Sequence, residues 1–119
     1  MKKGVKIKRV YEQAEKDDGY RMIVDRLWPR GLSKEDAHYD EWNKKIAPSA
    51  ELRKWFAHDK QRFEEFSKRY RNELNAQQEE LDRIRTIAED KPVTLLYAAR
   101  DTAYNHAVVL RDVLEKHKY

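Results

Sequence analysis

The chain has 119 residues, with 26 Lys and Arg against 22 Asp and Glu, a net charge of +4, and no cysteine. That length accommodates one domain over residues 1–119, and the missing thiols exclude a disulfide framework, thiolate zinc site, iron–sulfur cluster or cysteine nucleophile. No run reaches the roughly 20 apolar residues of a membrane span, and Met1-Lys2-Lys3-Gly4 opens no signal peptide, so a cytoplasmic protein is expected.

Val5 to Val10 alternates apolar and polar residues, the period of a strand with one wet face. Val5, Ile7 and Arg9 share parity, which puts an arginine at the last inward position. Tyr20 to Asp25, following Asp18-Gly19, reads as a more buried strand. The stretch from Gly31 to Ala47 is irregular, and Trp42 and Ile46 fit either a short helix or a strand there. Ser49 caps a helix over residues 51–57 that carries Leu52, Trp55 and Phe56 on one face. Asp59 caps the next, where Phe63, Phe66, Tyr70 and Leu74 form a stripe. Leu81, Ile84 and Ala88 mark a third helix, ending before Pro92. Pro92 to Ala99 is apolar on both faces, as a covered strand is. Asp101 or Thr102 caps the last helix, with Ala103, Ala107, Leu110 and Leu114 on its apolar face. Strands and helices in this order predict a small α/β sandwich. The short first connection, Tyr11 to Gly19, would also permit a hairpin.

Two strand ends carry polar residues that packing does not demand. The first, Asp25-Arg26-Leu27-Trp28-Pro29-Arg30-Gly31, sets an indole between guanidinium groups. Pro29 holds Trp28 extended and Gly31 permits a positive-φ turn. Arginine pairs with phosphate bidentately and stacks on aromatic faces, so this loop suits a planar or phosphorylated ligand. The second runs from Ala99 to His106, where a helix amino end favours an anion and Arg100 adds formal charge. Asn105 lies early in that helix, in reach of a cleft. Parallel strands would bring both loops to the carboxyl edge, where open α/β sheets bind ligands, and Arg9 and Tyr11 would join them.

Between these segments lie Pro48-Ser49, Arg53 and the pair His58-Asp59. A carboxylate beside an imidazole raises its basicity, although Asp59 has a competing role as a cap. The expected site therefore has Asp25 or His58 as a base if there is turnover. Arg9, Arg30, Arg53 and Arg100 hold an anionic (phosphorylated or nucleotide-like) ligand, Trp28 stacks on it, and Asn105 orients it. Of the other histidines, His106 reads as a surface residue on the outer helix face, and His38 and His117 have no matching neighbours. Four scattered histidines without cysteine predict no metal site. Gly4, Gly19 and Gly31 make neither a Walker loop nor a dinucleotide fingerprint, so no cofactor is expected. Two alternatives stand beside this. Lys2, Lys3, Lys6 and Lys8 with Arg26 and Arg30 could hold nucleic acid. Or the arginines pair internally with Asp25, Asp59, Glu73 and Asp101 in an interaction module.

Val24 to Gly31, Ala47-Pro48-Ser49 through Leu52-Arg53, Trp55 to Asp59, Tyr70 through Glu73-Leu74, and Leu95 to Asp101 through Asn105 closely resemble the YeaO-like bacterial proteins of the DUF488 family. The resemblance runs from Lys8 to Leu114. It implies a three-layer Rossmann-like sandwich with a mainly parallel sheet, which makes the first connection parallel. It implies no particular reaction. Other branches of that family end the last strand in Cys-x-Glu and open the next helix with Cys-His-Arg. This chain has Tyr97-Ala98-Ala99 and Asn105-His106-Ala107 there, so thiol or metal chemistry does not carry over.

Overall fold

Residues 4–116 are described by a computed structural model. Four strands, β1 (Val5–Arg9), β2 (Tyr20–Ile23), β3 (Glu41–Trp42) and β4 (Val93–Tyr97), form one all-parallel sheet in the order β1-β4-β2-β3. β4 lies in the middle and every one of its residues is buried, which is why its sequence is apolar on both faces. Val5 and Tyr20 both pair with Val93, so β1, β4 and β2 run in step and end at one edge.

β1 and β2 flank β4 and do not touch, which removes the hairpin alternative. The link between them is short because no long helix is needed to make the return. A five-residue strand is about 17 Å long, and residues 10–19 can reach about 33 Å when extended. A 3-10 turn at Lys16–Asp18 is pinned to the sheet on the way. Lys8 Nζ donates to Glu15 Oε1 (3.0 Å) and Asp18 Oδ2 (3.1 Å), and Thr94 Oγ1 donates to the Asp18 carbonyl (2.7 Å). Gly19 follows at φ 65°, where a Cβ would lie 2.2 Å from the Pro92 carbonyl oxygen.

The helices are α1 (Lys34–Ala37), α2 (Ala50–Phe56), α3 (Phe63–Asn75), α4 (Gln78–Asp90) and α5 (His106–Glu115). Strand parity divides the core. Val5, Met22, Val93 and Leu95 pack with α2 to α5 through residues such as Leu52, Phe66, Leu81 and Leu110. Ile23 and Leu96 face the other way, into a thinner layer with Val10, Ala37, Trp28, Leu32, Tyr39 and Trp42. The result is a small three-layer Rossmann-like sandwich with an all-parallel sheet.

Local chemistry sets most of the boundaries. Ser49 Oγ accepts from Leu52 N (3.1 Å) to cap α2, while Glu73 accepts from both the Ser49 amide (2.8 Å) and hydroxyl (2.6 Å). Asp59 caps a 3-10 turn at Lys60–Arg62 that continues directly into α3.

Two sequence readings need correction, and one left open is resolved. The last helix begins at His106, because Asn105 Oδ1 accepts from Val108 N (3.1 Å) and is the cap. Asp101 instead closes a preceding turn by accepting from Ala103 N and Tyr104 N, and Ala103 is exposed rather than part of the apolar face. Gly31 to Ala47 resolves into α1 and the two-residue β3, with Ile46 buried in the turn beyond. Finally, β2 is not purely apolar inside. Arg21 is buried, paired with Asp18, and donates to the Ala37 carbonyl (3.0 Å) and the His38 carbonyl.

Candidate functional site

Where β1, β2 and β4 end, an open cleft of about 620 Å³ lies between three walls. Residues 25–30 follow β2. Residues 98–101 follow β4 and lead to His106 at the start of α5. Pro48, Arg53 and His58 come from α2 and its flanks, and Tyr11 stands just beyond β1.

Asp25 joins the first two walls. Its Oδ2 accepts from Ala98 N (3.0 Å), which ties the β2 end to the β4 end. His106 Nε2 stands 3.0 Å from Asp25 Oδ1 and 3.0 Å from the Val24 carbonyl oxygen. Both neighbours only accept, so Nε2 carries the proton. The Val24 carbonyl accepts from it, and Asp25 Oδ1, among the described residues, is the buried side-chain polar atom without a hydrogen-bond partner.

This imidazole–carboxylate contact replaces the expected one. His58 lines the cleft at φ 57°, but Asp59 accepts from Gln61 N (3.0 Å) and faces Arg62 (3.7 Å), and among the described residues no carboxylate is bonded to the His58 ring. His106, read from sequence as a surface residue, is the histidine that meets Asp25. The signal for it is topological. With β2 and β4 neighbours, Asp25, two residues beyond β2, comes beside the start of the helix that follows β4.

The predicted arginines separate into two groups. Arg30, Arg53 and Arg100 stand exposed on three different walls. Among the described residues, none of their guanidinium groups hydrogen-bonds or lies within salt-bridge distance of a carboxylate. Arg26 lines the cleft too, but its Nε donates to the Pro48 carbonyl (2.9 Å) and fastens the β2 loop to α2. Arg9 is not on the wall. Its inward parity carries it to the Ala99 carbonyl (2.9 Å) and the Ala98 carbonyl (3.2 Å), and its guanidinium lies under the Tyr11 ring.

Two further placements differ from expectation. Asn105 is buried, with its amide donating to the Asp101 carbonyl (2.8 Å) and its oxygen capping α5, so it does not face the cleft. Trp28 forms part of a wall, but its Nε1 is bonded to the Leu32 carbonyl and its ring meets Tyr39 and Trp42 edge-on at 5.4 and 5.3 Å. It is chiefly packing for the thin layer. Asp101 is the acid at the rim, held below the usual carboxylate range by the Tyr104 and Ala103 amides it accepts from.

The internal pairing expected of an interaction module does not form at the cleft arginines. Asp25 meets His106, Glu73 meets Ser49, Asp101 caps a turn, and Asp59 faces Arg62 alone. Of the basic amino-terminal run, Lys6 and Lys8 are matched by Asp17, Asp18 and Glu15, while Lys2 and Lys3 lie outside the described residues, as does His117. No helix among the described residues is long and apolar enough to cross a membrane.

Fold and cleft together define a small parallel α/β protein with a carboxyl-edge pocket rimmed by arginine. The family model described as the inactive DUF488-N3 subclade matches residues 4–118, and the chain belongs to the DUF488 family. It is 49% identical to YeaO of Escherichia coli strain K12 over 110 residues, covering 92% of this chain and 96% of that protein. It is 43% identical to Rv3073c of Mycobacterium tuberculosis strain H37Rv over 110 residues, 92% of each, and equally to Mb3100c of Mycobacterium bovis. Neither those names nor the family description carries a reaction. No solved structure matches.

Proposed function

We propose that this protein is a cytoplasmic binding protein that takes a phosphorylated, anionic ligand into the carboxyl-edge cleft without turning it over. The observation that carries this reading is the convergence of Arg30, Arg53 and Arg100, from three separate segments, none of them paired with a carboxylate among the described residues even though Asp25 and Asp101 line the same cleft. Like charges gathered at one opening repel each other, and an anion relieves that repulsion while accepting bidentate hydrogen bonds. Binding without turnover is supported by the lack of an orienting carboxylate at His58. It is also supported by the engagement of Asp25 with Ala98 and His106, and by the description of the matching subclade as inactive. The nucleic-acid reading is weaker, because Lys6 and Lys8 already have acidic partners.

Thermal-shift titration with orthophosphate, pyrophosphate, sugar phosphates and nucleotides tests the proposal. A ligand at 100 times its Kd adds about 2.7 kcal/mol to the folded state, a shift easily resolved. The triple variant Arg30→Ser, Arg53→Ser, Arg100→Ser is expected to lose that shift while remaining folded. Stabilisation by none of these anions, or an unchanged shift in the triple variant, overturns it.

A further inference from the structure

Tyr11 is one of the large apolar side chains left exposed, at 42%, yet it is held at both ends. Its hydroxyl donates to the Arg30 carbonyl (2.8 Å), inside the loop that carries a cleft arginine. One face of its ring rests on the Arg9 guanidinium, 5.0 Å from the ring centroid. Arg9 is itself fixed by the Ala98 and Ala99 carbonyls at the end of β4. An exposed tyrosine normally keeps its rotamer freedom, and ordering it carries an entropic cost. Here the fold has ordered it without burying it. With one face covered by a cation, Tyr11 lines the cleft, and so does Leu27 at 59% exposure.

Resting on the reading of the cleft as an anion site, we infer that Tyr11 is a stacking platform and that the ligand is a nucleoside 5′-phosphate. Its base lies on Tyr11 beside Leu27, and its phosphate lies among Arg30, Arg53 and Arg100. A sugar phosphate would satisfy the arginines and leave the ordered ring unused. Base–aromatic stacking tolerates any base because each has a π-face, so the platform selects the class rather than one nucleotide. The guanidinium beneath the ring draws electron density from it, which favours stacking of an electron-rich heterocycle on the open face. The same chemistry of base plus phosphate occurs in a free nucleotide and at the 5′-phosphorylated end of a single strand.

Isothermal titration of the intact protein with orthophosphate, ribose 5-phosphate, and purine and pyrimidine nucleoside 5′-monophosphates separates the possibilities. At least one nucleotide is expected to bind ten-fold or more tightly than ribose 5-phosphate, a difference of about 1.4 kcal/mol. Tyr11→Ala is expected to reduce that nucleotide to the affinity of ribose 5-phosphate and to leave ribose 5-phosphate unchanged, whereas Tyr11→Phe keeps most of the gain. A 5′-phosphorylated tetranucleotide in parallel shows whether free nucleotide or strand end is preferred, and tighter binding of either supports the platform. If ribose 5-phosphate binds and no nucleotide or tetranucleotide binds better, the platform is overturned and the cationic cleft stands. A ten-fold preference that survives Tyr11→Ala overturns the platform as well. If no phosphate binds at all, both readings fall together.

Discussion

Asp18 is a carboxylate only 2% exposed, in a loop that had to be made short. Burial alone would push its proton affinity up. Hydrogen bonds from the Glu15 amide, Lys8 and Arg21 outweigh that and hold it below the ordinary value of 3.8. The folded protein therefore binds this proton less readily than the unfolded chain does. Stability from Asp18 is in place above about pH 4 and drains away as pH falls through the lowered native value. Urea midpoints measured between pH 7 and pH 2 are expected to fall steeply below pH 4. In Asp18→Asn the fall is shallower, and at pH 7 the variant is less stable by about 3 kcal/mol, because buried Arg21 loses its counter-ion. An Asn variant with the same acid slope as the native chain would show that other carboxylates govern acid unfolding.

Among the elements, α5 shows how far sequence reasoning reaches. β4 is unmistakable because a central parallel strand must be apolar on both faces, and all of Val93–Tyr97 is buried. The α3 and α4 stripes are equally plain, since each helix covers the core with residues spaced one turn apart. The start of α5 is harder, because Asp101, Thr102 and Asn105 are all competent caps and local sequence does not rank them. Tertiary structure decides it by burying Asn105 and exposing Thr102. Asn105→Ala is accordingly expected to cost about 1–2 kcal/mol in chemical denaturation, and Thr102→Ala less than about 0.5 kcal/mol. Equal costs would return the cap to the Asp101–Thr102 turn. β3 escapes notice for a different reason: two residues that pair with Met22 and Ile23 carry no periodicity of their own. The Asp25–His106 contact was hidden too, because it exists only once β2 and β4 are neighbours.

Across the whole molecule the arginines do two kinds of work, and the net charge of +4 does not distinguish them. Arg21 and Arg85 are buried to within a few per cent. Arg85 donates to the Val113 carbonyl (3.0 Å) and the Leu114 carbonyl (3.1 Å), closing the end of α5, and pairs with Asp82 (3.1 Å). Removing either guanidinium strands buried acceptors, each worth about 1–3 kcal/mol. Arg30, Arg53 and Arg100 have no such partners among the described residues, and their mutual repulsion opposes folding. Without ligand, the triple serine variant is thus expected to unfold within about 0.5 kcal/mol of the native chain, or slightly later. Arg21→Met and Arg85→Met each lose about 2 kcal/mol or more. Urea denaturation at 25 °C in phosphate-free buffer makes the comparison. A loss above about 1 kcal/mol in the triple variant would mean that the cleft arginines hold the fold together, and the charge kept free for a ligand would no longer be there to explain.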